Sequence, residues 1–518
     1  MTQTSTETLV EVDTRAGRVR GRWRAASPEP VEGAEPVEGA EPVEGATGHR
    51  SAAFLGIPFA EPPVGELRFA APVPKAPWDG VLDALEFGAT AQRGDPGVTL
   101  IPEPSVPGES TLNVNVFTPS PTEAEPGEAL PVLVWIHGGG YFAGSPASPW
   151  YDGRAFNRDG VVTVTISYRL GFDGFGWISD APMNRGVLDW LLALEWVRDN
   201  IAAFGGDPGR VTIAGQSAGG GAVLTLLGMP RAQGLFHGVY AISGATADVA
   251  ADRAERIGRR VAELGGVEPT RAGLSTLDPD RIIELQQQAT RPDGDDASQL
   301  GALLEDGLTL GPAVDGDLIP RPTRESIAAG VGAGIPLVLG ATDDEFTMAF
   351  TPAKDKLRWV PASLALRRMG MPSATRKAWL AANRDVRSRG TAFVLGRYVT
   401  DRVFRTTIPQ VASLRADAPT WVYRFAWRSP EFAASVHCLD VPFFFDCLES
   451  DRVEPLAGPN PPQALADSVH AAAVAFVTRG NPGWARWTDS ARVIRRWDDP
   501  DIVDARDGYA EVAALLDA

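Results

Sequence analysis

The chain has 518 residues, 44% of them hydrophobic and 22% charged, and a formal net charge of −18. That composition supports a large buried core, while the acidic balance argues against nucleic acid and against an anionic membrane surface as partners, since both need clustered positive charge. Its two cysteines, Cys438 and Cys447, exclude a disulfide framework and a multi-cysteine metal site.

No apolar run approaches the ~20 residues of a membrane span. Met1 to Glu7 has neither the basic nor the apolar segment of a signal peptide, so the expected location is the cytoplasm. Basic residues are nearly all Arg, the lysines being Lys75, Lys354, Lys356 and Lys377, which with the abundant Ala and Gly suggests a GC-rich bacterial genome.

In chain order, Val10 to Arg24 reads as a β-hairpin turning at Arg15-Ala-Gly17. Glu29–Ala34, Glu35–Ala40 and Glu41–Ala46 are three copies of one six-residue unit. Pro and Gly in every copy oppose regular structure and predict an exposed acidic loop. Globular texture begins at Phe54. The runs Pro131–Ile136 and Val161–Ile166 have the length and β-branching of strands. Apolar residues at helical spacing predict a helix between Arg185 and Phe204, and Arg210–Ala214 predicts a strand followed by a helix from Ala218 to Leu227. Further strands are expected at Gly238–Ile242, Ile335–Gly340 and Thr420–Phe425, and a late helix at Gln463–Phe476. Strands and helices alternate, and several strands are apolar throughout. The expected architecture is α/β: an open, mostly parallel sheet with helices on both faces and long excursions. No linker divides it, so residues 1–518 are expected to form a single domain.

Gly215-Gln-Ser217-Ala-Gly219 lies between the strand ending at Ala214 and the helix after Ala218. In that strand-to-helix setting Gly-x-Ser-x-Gly is a nucleophile elbow, which lifts a serine hydroxyl off the sheet above a helix N-terminus. His137-Gly138-Gly139-Gly140 follows the strand ending at Ile136. Three glycines let backbone N–H groups approach a ligand closely, so Gly139, Gly140 and Ala218 are the expected oxyanion donors.

Longer motifs carry a resemblance. Phe54–Ala60 with Pro62-Pro63 and Leu67-Arg-Phe69, Tyr168–Gly171, Trp196–Ile201, Phe204–Pro208 and Val211–Gly220 resemble, in order, the type-B carboxylesterase and cholinesterase-like family of α/β-hydrolases, and above all its bacterial para-nitrobenzyl-esterase-like branch. The resemblance implies a serine carboxylesterase working through a Ser-His-Glu triad and an acyl-enzyme, favouring short-chain or aryl esters, with no cofactor and no metal. It assigns Ser217 as nucleophile and points to Glu345 in Gly340–Glu345 as the acid, with Asp343 and Asp344 as alternatives because Phe346 stands where the family usually has Gly. It selects His437, in His437-Cys-Leu-Asp440, from five histidines; His49 adjoins the repeat, His137 belongs to the glycine loop, His237 precedes a strand and His470 sits within a helix. Ser243 matches a serine that supports the acid from behind. The expected partner is a small-molecule ester, with no nucleic acid and no membrane, and the chain a monomer or homodimer. Phe142, Phe172, Phe175, Trp177 and Phe443–Phe445 are candidates to line a substrate pocket. The same triad would serve a carbamate or amide hydrolase or a lipase, and the fold also hosts non-catalytic binding proteins.

Overall fold

A computed structural model describes residues 8–25, 50–94, 99–125, 127–246, 248–291, 304, 307–415 and 417–516. The Glu29–Ala46 repeat and His49 lie outside the described residues. Thirteen strands form one sheet: β1 (Leu9–Asp13), β2 (Arg18–Ala25), β3 (Arg50–Pro58), β4 (Val81–Asp83), β5 (Asn113–Thr118), β6 (Leu130–Ile136), β7 (Val162–Ile166), β8 (Gly206–Gln216), β9 (Gly238–Ile242), β10 (Leu337–Thr342), β11 (Thr420–Phe425), β12 (Val493–Trp497) and β13 (Val503–Arg506). Their spatial order is β1-β2-β3-β5-β7-β6-β8-β9-β10-β11-β12-β13, with β4 beside β2. From β7 to β12 every neighbouring pair is parallel. The flanks are antiparallel apart from the β2–β4 pair.

The central strands β6 and β9 are apolar throughout because both of their faces are covered. Along β6, Val132, Val134 and Ile136 enter one core, and the alternate residues Leu133 and Trp135 enter the other. The first core is closed by α1 (Arg185–Asn200) and α2 (Ala218–Leu227), through Trp190, Leu194, Val197 and Leu224. The second is closed by helices from later in the chain, through Phe393, Leu465, Val469 and Phe476. The predicted hairpin, strands and helices are present. The strand expected at Ile335–Gly340 starts two residues later, and β8 begins at Gly206, ahead of Arg210.

Several elements were not anticipated. These are α3 (Ala251–Gly265), α4 (Pro279–Thr290), α5 (Ala362–Arg368), α6 (Ser373–Ala382) and α7 (Thr391–Thr400). The late helix, α8, runs to Arg479 (Gln463–Arg479). The connections leaving the carboxyl ends of β6, β8, β9, β10 and β11 therefore converge on one edge, where open parallel sheets hold their ligands.

Candidate active site

Strand β8 delivers Ser217 directly into the first turn of α2, with φ 60° and ψ −120°. A non-glycine residue held there stores roughly 1–3 kcal/mol of strain. Two backbone bonds fix it: the Ser217 N–H donates to the Ile242 carbonyl at 2.9 Å, and its own carbonyl accepts from the Gly221 N–H at 2.9 Å. The flanking glycines are dictated by space. A Cβ on Gly215 would lie 2.5 Å from the Gly219 carbonyl carbon and 2.6 Å from the Ile136 oxygen. One on Gly219 would overlap the same Ile136 oxygen.

Ser217 Oγ lies 3.0 Å from Nε2 of His437. The opposite ring nitrogen, Nδ1, is hydrogen-bonded to Oε2 of Glu345. With Nδ1 donating to the carboxylate, Nε2 is left as the acceptor for the serine proton. Gln216 Nε2 is 3.2 Å from the same nitrogen. The other oxygen of Glu345 accepts from Ser243 Oγ at 2.6 Å and from the Thr342 N–H at 2.8 Å. The His437 N–H in turn donates to the Glu345 carbonyl at 3.1 Å. Burial works against a charged imidazole here, but Cys438 and Glu345 together outweigh it and hold His437 above the ordinary histidine range. Burial pushes the Cys438 thiol up in turn, with the neighbouring His437 pulling the other way.

Asp343 and Asp344 turn away from the histidine. Asp344 pairs with Arg397 at 3.1 Å and with Arg389 at 3.2 Å, and Asp343 pairs with Arg424. The guanidiniums around Asp343 overcome its burial and hold its carboxyl far below the usual range. These buried ion pairs, together with Gln216 and the Thr342 N–H, are the parts of the site that sequence reasoning missed. The first of them left one signal, an Asp-Asp-Glu run at a strand end, too acidic to be buried without cations.

The glycine loop sits beside Ser217. Gly139 and Gly140 have φ of 106° and 62°, values that glycine adopts freely. The Gly139 carbonyl is taken by the Phe142 and Ala143 N–H groups, whereas among the described residues no protein acceptor takes the N–H of Gly139 or Gly140. Ala218 opens α2, so its N–H has no partner within the helix. His137 anchors this loop. Buried, and with its pKa lowered to about 4, its neutral ring lies 2.9 Å from the Gly138 oxygen through Nδ1 and stacks on Tyr168.

Beyond the loop, a cavity of about 270 Å³ is bordered by Phe142, Val64, Leu170, Phe172, Ile282 and Ile283. Of the aromatic candidates, Phe142 is 52% exposed and Phe172 borders this cavity while also packing into a small core. Phe175 and Phe443–Phe445 are core residues, packed by neighbouring rings such as Trp190 and Trp135, and Trp177 lies under Arg259. His470 is buried between the Phe444 carbonyl and Asp159, and His237 lies beside the Val211 N–H; both are remote from Ser217 in their bonding.

An elbow serine facing an imidazole at the carboxyl edge of a mostly parallel sheet defines an α/β-hydrolase. Residues 35–499 match the model of the Carboxylesterase family, and the chain belongs to that family as a carboxylic ester hydrolase. It is 34% identical to the para-nitrobenzyl esterase of Bacillus subtilis (strain 168) over 442 residues, covering 82% of this chain and 86% of that protein. It is 33% identical to the phenmedipham hydrolase of Pseudarthrobacter oxydans over 495 residues, 89% of this chain and 93% of the relative. Among solved structures, a Geobacillus stearothermophilus carboxylesterase superposes with a TM-score of 0.79 at 30% identity, covering 97% of this chain and 99% of its own.

Proposed function

We propose that Ser217, His437 and Glu345 are the catalytic triad of this carboxylesterase, set in a single α/β-hydrolase domain, and that it favours short-chain or aryl esters. The observation that carries this reading is the continuous line from Ser217 Oγ through the two nitrogens of His437 to Glu345. His437 takes the serine proton as Oγ attacks the ester carbonyl, and Glu345 keeps the imidazole in the tautomer that leaves Nε2 free. The N–H groups of Gly139, Gly140 and Ala218 receive the developing oxyanion, each such donor being worth about 3 kcal/mol in the transition state. The proton then passes from His437 to the leaving alcohol, and water repeats the sequence to free the acid and Ser217.

The test compares wild type with Ser217→Ala on para-nitrophenyl esters from acetate to palmitate. A loss of at least ~10³-fold in kcat/KM, with a short-chain optimum in the wild type, is the expected result. Undiminished activity in the variant would remove Ser217 from its role. An optimum at long chains, or turnover confined to aryl carbamates or amides, would replace the substrate class.

A further inference from the structure

The net charge of −18 conceals an uneven distribution. The 36 residues from Lys354 to Arg389 carry ten Lys or Arg against two acids, Asp355 and Asp385, for a local charge of +8. Three of the four lysines of the chain lie there.

These residues form one surface. Helix α6 is tied to α5 by the Arg376 Nε–Ser363 Oγ bond at 3.1 Å. Leu357, Val360, Leu366, Trp379 and Val386 share the core that holds Phe393 of α7. The two ends of the stretch meet on that ring, with Lys354 at 5.5 Å and Arg389 at 3.9 Å from its centre. Among the described residues Lys356, Arg367, Arg368 and Lys377, all exposed, have no carboxylate at ion-pair distance. Two large apolar side chains stand out from among these cations: Trp359, 78% exposed, and Leu364, 42% exposed.

Unpaired cations alone would fit any polyanion. A protruding indole and a leucine within them narrow the fit, because Trp settles at the level of lipid headgroups while flanking Lys and Arg bind anionic ones. No helix among the described residues is long and apolar enough to cross a membrane, so contact would be from one side. We propose that the Lys354–Arg389 surface docks this protein on a bilayer bearing anionic lipid, with Trp359 and Leu364 entering the headgroup layer. The acidic remainder of the molecule faces away from the bilayer, which fixes its orientation. Total charge does not decide the matter, because adsorption depends on the charge of the contacting face. The inference concerns a surface and stands or falls independently of the role of Ser217.

The test is co-sedimentation of the full chain with vesicles of phosphatidylcholine alone and with 30% phosphatidylserine added. Wild type should pellet with the second vesicles only and be released by 0.5 M NaCl. Neutralising Lys354, Lys356 and Arg358 to Gln should weaken binding by about 100-fold, each cation contributing roughly 5-fold. Trp359→Ser should weaken binding to the same vesicles while leaving its salt sensitivity, and Arg367→Gln with Arg368→Gln gives a second charge variant. Hydrolysis of soluble para-nitrophenyl butyrate should be unchanged in all of them. No binding to anionic vesicles, or binding that none of these substitutions alters, overturns the proposal. So does salt-sensitive binding to RNA or to a second copy of the chain in place of vesicles.

Discussion

Glu345 is one of three consecutive carboxyls, and what separates it from Asp343 and Asp344 is the direction each side chain takes at the end of β10. Glu345 reaches His437, Ser243 and the Thr342 N–H; its neighbours reach arginines 45 to 81 residues further along the chain. The family resemblance favours Glu345, but the residues alone do not divide the three, because the partners of Asp343 and Asp344 are distant and no local pattern marks them. Ser217 was readable for the opposite reason, since the pattern that marks the elbow, Gly215 to Gly219, lies within five residues. Glu345→Gln removes the carboxylate charge that, with Cys438, raises His437, while keeping the shape of the side chain. Its kcat/KM should fall by about 10³–10⁴-fold. In the proposed triad the neutral imidazole is the base, so activity should be lost as pH falls through the His437 pKa; lowering that pKa should move the acid limb of the residual profile to lower pH. A pH–rate profile checks both, and an acid limb that stays in place would detach Glu345 from the titration of His437.

At the level of elements, the elbow is a contact between β8, α2 and the end of β6, closed to the width of a backbone. A methyl on Gly219 has nowhere to go, because the Ile136 oxygen belongs to the centre of the sheet and cannot yield. Gly219→Ala should cost at least about 3 kcal/mol of stability, measured by urea unfolding. Gly334→Ala, where a Cβ meets nothing within 4 Å, should change stability by less than about 0.5 kcal/mol. Equal stability of the two variants would refute the packing argument. Elements of this kind were legible, since long β-branched runs and the periodicity of α1 announce themselves. The stretch from Thr347 to Leu414 was not. Its helices are short, and α7 buries Arg397 among apolar residues, a placement that makes sense only once Asp344 is beside it.

For the whole molecule, stability should depend on pH through buried carboxyls of opposite habit. Asp343, held low by its arginines, stabilises the fold above the ordinary carboxyl range near pH 4, and that contribution is lost as pH falls into acid. Asp440 is pushed up to about 7 by burial and by Glu345, with one oxygen accepting from Tyr423 at 3.0 Å and the other without a partner among the described residues. A raised value favours the protonated folded form, so the fold weakens as pH climbs from about 4 to 7, by an amount on the order of 4 kcal/mol. Asp440→Asn should abolish that decline. Its Tm relative to wild type should rise between pH 5 and pH 8, and a difference in Tm that is flat with pH would place the ionised carboxyl in water. The sheet order has one more effect, and it concerns time. Ser217 and His437 are 220 residues apart in the chain, and β11 must dock on β10 before they meet. At about 5–20 residues per second of synthesis, the elbow serine leaves the ribosome roughly 10 to 40 seconds before its histidine exists. Throughout that interval the nascent chain would hold Ser217 without the imidazole proposed to activate it.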